Sequence, residues 1–399
     1  MKKFMSCLIL LLATSVLWAQ NPPTLTLSQA LERGLAREDL KAALQGRVDE
    51  ASGTIEASRL WDNPELSLST ESIDQGGISA DESYLLVSQR IQLFGRASRM
   101  GAAQKMKVAV DLENRGRRQE IGALVQNLFF ETLYYQKRVA ILSSWNSRLD
   151  GLLDVAIQRE KAGEASGYDV RRLSREQWEA RAMAAREEAY RLAGWEQLAA
   201  LLQIDVPHLL SGHLLPQSEN RQFSASLNPK LLALDAMVEA ALLEEQALKN
   251  RILQELTLEA GLKKTSFGGE SDQGFYLGVK TPLPLFNRNQ ARRMQATARA
   301  LTLSGEKAMA QSEAEGRIRG LTRQYGQLRK AVEQYNGEML HQSRELVRIA
   351  GAAYEQGEMD VLRLLDAYRS LRDAELKMAD MEAEARTCFI ELESLGGDQ

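Results

Sequence analysis

The chain has 399 residues with 50 Lys and Arg against 54 Asp and Glu, a formal net charge of −4 at pH 7. So mild an acidity argues against nucleic acid as a partner, because that binding rests on neutralising phosphates. Of its two cysteines one lies in a segment expected to be removed, which excludes a disulfide within one mature chain.

Residues 1–19 open with Met-Lys-Lys, continue through the apolar run Cys7 to Ala13, and end in Leu17-Trp-Ala19. This is the pattern of a secretory signal peptide, so the chain is read as exported. Cleavage removes Lys2, Lys3 and Cys7, the last lying too early for a lipoprotein cleavage site. No later apolar run approaches the roughly 20 residues of a membrane-spanning helix, so any membrane crossing falls to strands. Thr26-Leu-Ser-Gln-Ala-Leu31 then opens a helix expected to run to about Trp61. Leu66, Leu68 and Thr70 alternate with polar residues, as do Leu85, Val87, Ile91 and Leu93, predicting two strands around a Gly, Ser and Asp-rich loop over 73–82. From Arg96 to about Ala162 no proline interrupts a helix of roughly 67 residues, on the order of 100 Å. A glycine-bearing tip, Lys161 to Tyr168, turns the chain into a return helix over 168–203.

Residues 204–227 contain Pro207, Pro216, His208 and His213 and read as a linker; two histidines with no third ligand do not make a zinc site. The same plan then starts again. Leu227-Asn-Pro-Lys-Leu-Leu232 opens a helix to about Leu253. Leu256, Leu258, Ala260 and Leu262 alternate in one strand, and Phe275, Leu277, Val279, Thr281 and Leu283 in the next, around a loop at 263–273. A second proline-free stretch runs from Asn289 to about Gln356, turns at Glu355-Gln-Gly-Glu358, and returns over 359–395, where Cys388 reads as a small buried apolar residue.

The two copies keep step. Val279 to Gln290 echoes Val87 to Arg96, Phe94 and Phe286 lie 192 apart, and the tip glycines Gly163 and Gly357 lie 194 apart. Between them an apolar seam with 4,3 spacing passes through Val125, Leu128, Val139, Leu142, Leu149, Leu153 and Ala156. In the second copy it passes through Ile318, Leu321, Val332, Tyr335, Met339, Gln342, Leu346 and Ile349, offset by 193 throughout. Seven-residue seams wind helices into left-handed coiled coils. The domain reading is therefore a signal peptide (1–19), a first repeat (20–203), a linker (204–227) and a second repeat (228–399). Such a unit cannot bury its own apolar surface. Alternating strands of this length suit a water-filled outer-membrane barrel, or two soluble hairpins with one buried face. Four strands cannot close around a pore, so the barrel reading requires several chains. Nothing in the chain resembles a catalytic constellation, a phosphate-binding loop or a metal-ligand cluster, so no enzyme activity, cofactor or metal site is expected.

Three segments, Leu25-Thr-Leu-Ser-Gln-Ala-Leu31, Pro282-Leu-Pro-Leu-Phe-Asn-Arg-Asn-Gln290 and Gly357-Glu-Met-Asp-Val-Leu362, resemble the TolC family of outer-membrane efflux proteins, in particular its CzcC-like and CusC-like heavy-metal branch. The resemblance implies a mainly α fold with a small β part: coiled-coil helical hairpins forming a periplasmic tube, and four strands per chain contributing to a 12-stranded barrel in a homotrimer. It implies a passive exit duct in the outer membrane, extending into the periplasm and served by a periplasmic adaptor and an inner-membrane pump of the RND type. Metal cations or organic compounds are the implied cargo. By the same resemblance Asp169, Tyr354, Met359 and Asp366 match gate or constriction positions, with Met359 standing where relatives carry an arginine. Gly163, Glu164, Gly357 and Glu358 match the tips that meet the adaptor. Phe94, Arg96, Phe286 and Arg288 match the corner between barrel and tube, beside lipid. A periplasmic coiled-coil adaptor or scaffold, and the outer-membrane duct of a type I protein secretion system, are the competing readings.

Overall fold

The computed structural model describes residues 23–216, 221–249 and 255–396; the expected signal segment lies outside the described residues. In chain order the elements are β1 (Thr24–Thr26), α1 (Leu27–Ala36), α2 (Glu38–Arg59), β2 (Glu65–Gln75), β3 (Ile78–Gln92), α3 (Arg96–Lys161), α4 (Gly167–Leu202) and β4 (Leu209–Ser211). They continue with α5 (Pro229–Ala247), β5 (Glu255–Phe267), β6 (Glu270–Lys280), α6 (Gln290–Gln334), a π-turn (Tyr335–Leu340), α7 (His341–Glu355) and α8 (Val361–Gly396). The fold is thus mostly helical with one four-stranded antiparallel sheet, and the helix–strand–strand–helix–helix order occurs twice.

Two compact units divide the chain, and each draws on both repeats. The first comprises the described residues of 1–40, 117–225 and 314–399. Its largest apolar core gathers Leu25, Val125, Phe129, Phe130, Leu133, Trp195, Leu198, Leu202, Leu210 and Ile390. The entry to α1 is a capping box: the Thr26 hydroxyl accepts from the Gln29 amide, and Gln29 Oε1 accepts from the Thr26 amide at 3.0 Å. The sequence reading runs this helix on to Trp61, but the backbone breaks at Arg37, which is extended (φ −54°, ψ 132°). Arg37 forks onto Asp39 and donates to the Leu201 carbonyl at 3.1 Å. Glu38 and Asp39 then favour a fresh start, since carboxylates suit a helix N-terminus. The linker forms a strand: β1 and β4 pair in parallel, Leu25 opposite Leu210, and the Gln136 side chain bonds both the amide and the carbonyl of Leu210. His208 stacks on Trp195, and the His213 carbonyl accepts from Arg386, so both histidines serve the linker's own packing.

The second unit comprises the described residues of 41–116 and 226–313 and holds the sheet, with strand order β2-β3-β5-β6. The sequence leads one to expect loops of ten and eleven residues at the hairpin ends, 73–82 and 263–273; the strands instead run nearly to their tips. Gly76-Gly77 and Gly268-Gly269 make two-residue turns with positive φ at all four positions (65°, 86°, 58° and 97°). That geometry matches the twist of the flanking strands, and the polar loop residues become strand ends.

The helical register also differs from the sequence reading. In the first part of the long helices the copies correspond at 193, with Val125 and Ile318 both buried. After the π-turn they correspond at 194: Leu149 pairs with Ser343 and Ala156 with Ala350, all four buried. Met339, Leu346 and Ile349, expected on the seam, are exposed. The cause is one extra residue in the second copy. In an unbroken α-helix it would turn everything after it by about 100° relative to the first copy. The wider π-turn takes up that residue.

Candidate functional site

In the second unit the sheet has two unlike faces. The register aligns Leu66, Val87, Ala260 and Leu277 in one cross-strand row, and Leu68, Leu85, Leu262 and Phe275 in the next, all pointing to the same face. These side chains are exposed in the single chain, Phe275 at 90% and Leu277 at 83%. So large an apolar surface on a soluble protein marks a contact with membrane or protein. The other face carries Ser69, Tyr84 and Lys263 in one row and Glu71, Glu82, Thr265 and Asp272 in the next. There Lys263 pairs with Glu82 at 2.8 Å, Tyr84 donates to Glu82 at 2.6 Å, and Tyr276 meets Tyr84 edge-on. The edge strands β2 and β6 each pair on one side only. They run in opposite directions, so β6 of one copy can continue the sheet beside β2 of another.

The corner residues lie where strand gives way to helix. Arg96 opens α3, its guanidinium 4.4 Å over the Trp61 ring and bonded to the Arg59 carbonyl. Phe94 is partly exposed; Phe286 is exposed at 92%, beside exposed Leu283 and Leu285. The Arg288 amide donates to Gln290 Oε1 at 2.7 Å in the turn before α6. Among the described residues no helix is long and apolar enough to cross a membrane.

In the first unit the two tips repeat one motif. Gly163 donates to the Glu160 carbonyl at 3.0 Å and Glu164 to the Arg159 carbonyl at 2.8 Å. Gly357 and Glu358 do the same to Tyr354 and Ala353, at 3.1 and 2.9 Å. Both glycines have φ 78°, a conformation that costs an L side chain roughly 1–2 kcal/mol. Three residues on, Ser166 and Asp360 occupy equivalent positions and cap the return helices, Ser166 accepting from the Tyr168 amide and Asp360 from the amides of Leu362 and Arg363. Gly163→Val combined with Gly357→Val is therefore expected to lower tip stability by about 2–4 kcal/mol, twice the single-site strain. Limited proteolysis at the tips reads this out, and asparagine at both positions, which tolerates the conformation, should restore most of the resistance.

Of the four gate-matched residues, one is exposed, two are half-buried and one is buried. Asp366 is exposed, 3.7 Å from Arg369, and Asp169 sits half-buried in the first turn of α4. Tyr354 is buried, with Arg159 stacked 4.6 Å over its ring, and Met359 packs against the same core of Trp145, Leu149, Leu173, Val361, Leu364 and Leu365. Behind them lies a charge cluster absent from the sequence reading. Glu176 of α4, its side chain 6% exposed, accepts from Arg369 Nε at 2.9 Å, also bonds that residue's terminal nitrogen, and lies 3.6 Å from Arg372. The Arg369 hydrogen bond is the largest influence holding the Glu176 carboxyl below its ordinary value, overcoming the opposing effect of burial. A second cluster joins Arg138 to Glu187 (2.9 and 3.1 Å) and to Asp380 (2.6 Å). Glu187 and Asp380 stand 193 apart, as do Glu176 and Arg369, so these charges tie equivalent stretches of the two return helices together. That shared separation is the only trace the clusters leave in the sequence. Among the described residues no three His, Cys, Asp or Glu side chains converge to hold a metal.

Comparison with known proteins agrees with this geometry. Residues 222–398 match the family described as outer membrane efflux protein. The chain is 25% identical to the cobalt-zinc-cadmium resistance protein CzcC of Cupriavidus metallidurans over 368 residues, 90% of this chain and 86% of that protein. Among solved structures, CusC superposes with a TM-score of 0.75 at 17% identity, covering 96% of each chain. VceC of Vibrio cholerae superposes with 0.72 at 16% identity, covering 93% of this chain and 96% of that one. The duplicated hairpins, the two-faced sheet and these matches show that the chain has the TolC-like fold and that its second half is similar to the outer membrane efflux proteins.

Proposed function

We propose that three copies of this chain form a passive outer-membrane duct whose helices reach into the periplasm. One observation carries the reading: a sheet with one exposed apolar face, one polar face and two open edges of opposite direction. Two copies would supply eight strands, whose interior is filled by side chains, whereas twelve leave room for solutes. Lipid would cover the Leu68 to Phe275 face, and the Glu82 and Lys263 face would line the water. The tips, with Glu164 and Glu358 exposed beside their glycines, would receive a periplasmic adaptor, and an RND-type inner-membrane pump would supply the energy. The cargo would be divalent metal cations, in keeping with the resistance named for the C. metallidurans relative. Supplying the gene to a strain that retains its pump and adaptor should restore growth on cobalt, zinc or cadmium. Restored tolerance to organic compounds alone, or to none of these, would contradict the cargo.

Three-fold symmetry would bring three copies each of Asp169 and Asp366 around the axis, giving negative rings that favour cations. Tyr354 and Met359 would support this gate from inside the tip core. In planar bilayers Asp169→Asn and Asp366→Asn are expected to lower the permeability of cations relative to anions and to weaken block by multivalent cations. Unchanged currents and block in both would take these residues out of the gate.

A further inference from the structure

The apolar face of the sheet ends differently at its two margins. Toward the hairpin turns it gives way to Thr70, Ser83, Lys264 and Gln273 and then to Ser72, Asp81, Ser266 and Ser271, a polar margin with one cation. Toward the helices it runs on through exposed Leu283, Leu285 and Phe286 and meets four arginines, Arg96, Arg99, Arg288 and Arg292, at the starts of α3 and α6. The duplication supplies both pairs: Arg96 and Arg288 stand 192 apart, and Arg99 and Arg292 stand 193 apart. Among the described residues none of the four has a carboxylate within ion-pair distance, whereas the next arginines along α6, Arg293 and Arg299, pair with Glu245 at 3.2 Å and Glu244 at 3.6 Å. Arg99 bonds the neutral Gln92 amide, and Arg96 stacks on Trp61, which is exposed beside exposed Leu60. Arg99 and Arg292 line one cleft, where Lys249 adds a third cation, Glu255 is the one carboxylate and Phe94 forms part of the wall. Guanidiniums gathered beside an apolar surface repel one another unless an anion lies between them, and their planar fork matches a phosphate.

We propose that the cleft between Arg99 and Arg292 holds the phosphodiester headgroup of an anionic phospholipid from the inner leaflet of the outer membrane. The site rests on the duct reading, which puts the apolar face of the sheet in lipid and the helices on the periplasmic side. The two guanidiniums share the phosphate oxygens, and Arg288 and Arg96 add to the positive field around them. The acyl chains lie along Leu283, Leu285 and Phe286, and Trp61 sits at headgroup level, where the amphipathic indole is favoured. Charge selects the lipid class, because a zwitterionic headgroup brings a cation of its own into an already cationic cleft while an anionic one does not. The hairpin margin, with Lys264 as its one cation, offers no equivalent site.

Native mass spectrometry of the full-length mature protein in mild detergent, titrated with phosphatidylglycerol and with phosphatidylcholine of the same acyl chains, tests this. Phosphatidylglycerol is expected to bind on the order of tenfold more tightly, as two arginines at an anionic surface would give. Arg99→Gln with Arg292→Gln should remove that preference, while Lys264→Gln at the opposite margin should keep it. Equal binding of the two lipids to the wild-type assembly, or a preference retained by the double variant, would overturn the site while leaving the duct intact. Should the double variant not assemble, Arg288→Gln, which lies outside the helices, takes its place: a partial loss of preference is expected, and no loss would contradict the site. Displacement of the lipid by millimolar inorganic phosphate would make this a free-phosphate site and overturn the lipid as its occupant. A chain that stays soluble and forms no assembly would remove the duct reading, and the site with it.

Discussion

Leu262→Arg is expected to abolish recovery of the protein from the outer membrane, while Ser69→Arg, which places the same charge on the opposite face of the sheet, is expected to be nearly neutral. Leu262 stands on a central strand in the row with Leu68, Leu85 and Phe275, over half exposed with nothing of its own chain above it. An arginine on the lipid side of a barrel costs roughly 2–4 kcal/mol at the midplane, and in the proposed trimer each copy would bear that cost. Ser69 points with Tyr84 and Lys263 to the face already occupied by charge pairs, where a guanidinium stays in water. Density-gradient separation of the membranes followed by unheated gels reads both variants. Equal losses from the two would mean that neither face meets lipid.

Glu176→Gln is expected to loosen the tips by about 1–3 kcal/mol, the loss of charged hydrogen bonds at a buried site. The effect stays in that range because Arg372 keeps Asp373 at 2.8 Å and Arg369 keeps Asp366 at 3.7 Å. Two arginines share Glu176, so its loss weakens the tie between the repeats. The carboxyl is held below its ordinary value in the folded chain. Its contribution is therefore complete above the unfolded value of about 4.3 and is lost as pH falls through the lower folded value. Protease resistance of the tips should then be level from pH 7 down to about pH 5 and should fall on further acidification, with the glutamine variant showing less of that fall.

Much of this fold was legible because its signals are periodic. Alternation at Leu256 to Leu262 found a strand, and the proline-free heptads from Arg96 found a helix that ends at Lys161, one residue from its expected end. The failures were local and have physical causes. Polar residues at 73–82 resemble loop, yet paired glycines let the hairpin close in two residues. The Arg37 break depends on a carbonyl 164 residues away, which no window of sequence contains. The π-turn did leave a trace, since seams offset by 193 and tips offset by 194 require one added residue, but where the helix absorbs it is decided by packing against α8. At the tips the glycines and caps were readable. The burial of Tyr354 and the Glu176 cluster were not, because both depend on which faces the two repeats turn toward each other.

The trimeric duct is tested most directly by native mass spectrometry of the protein released from purified outer membranes in mild detergent. A single dominant assembly with the mass of three mature chains is expected. Single chains recovered from the soluble periplasmic fraction, with no assembly in the membrane, would contradict it.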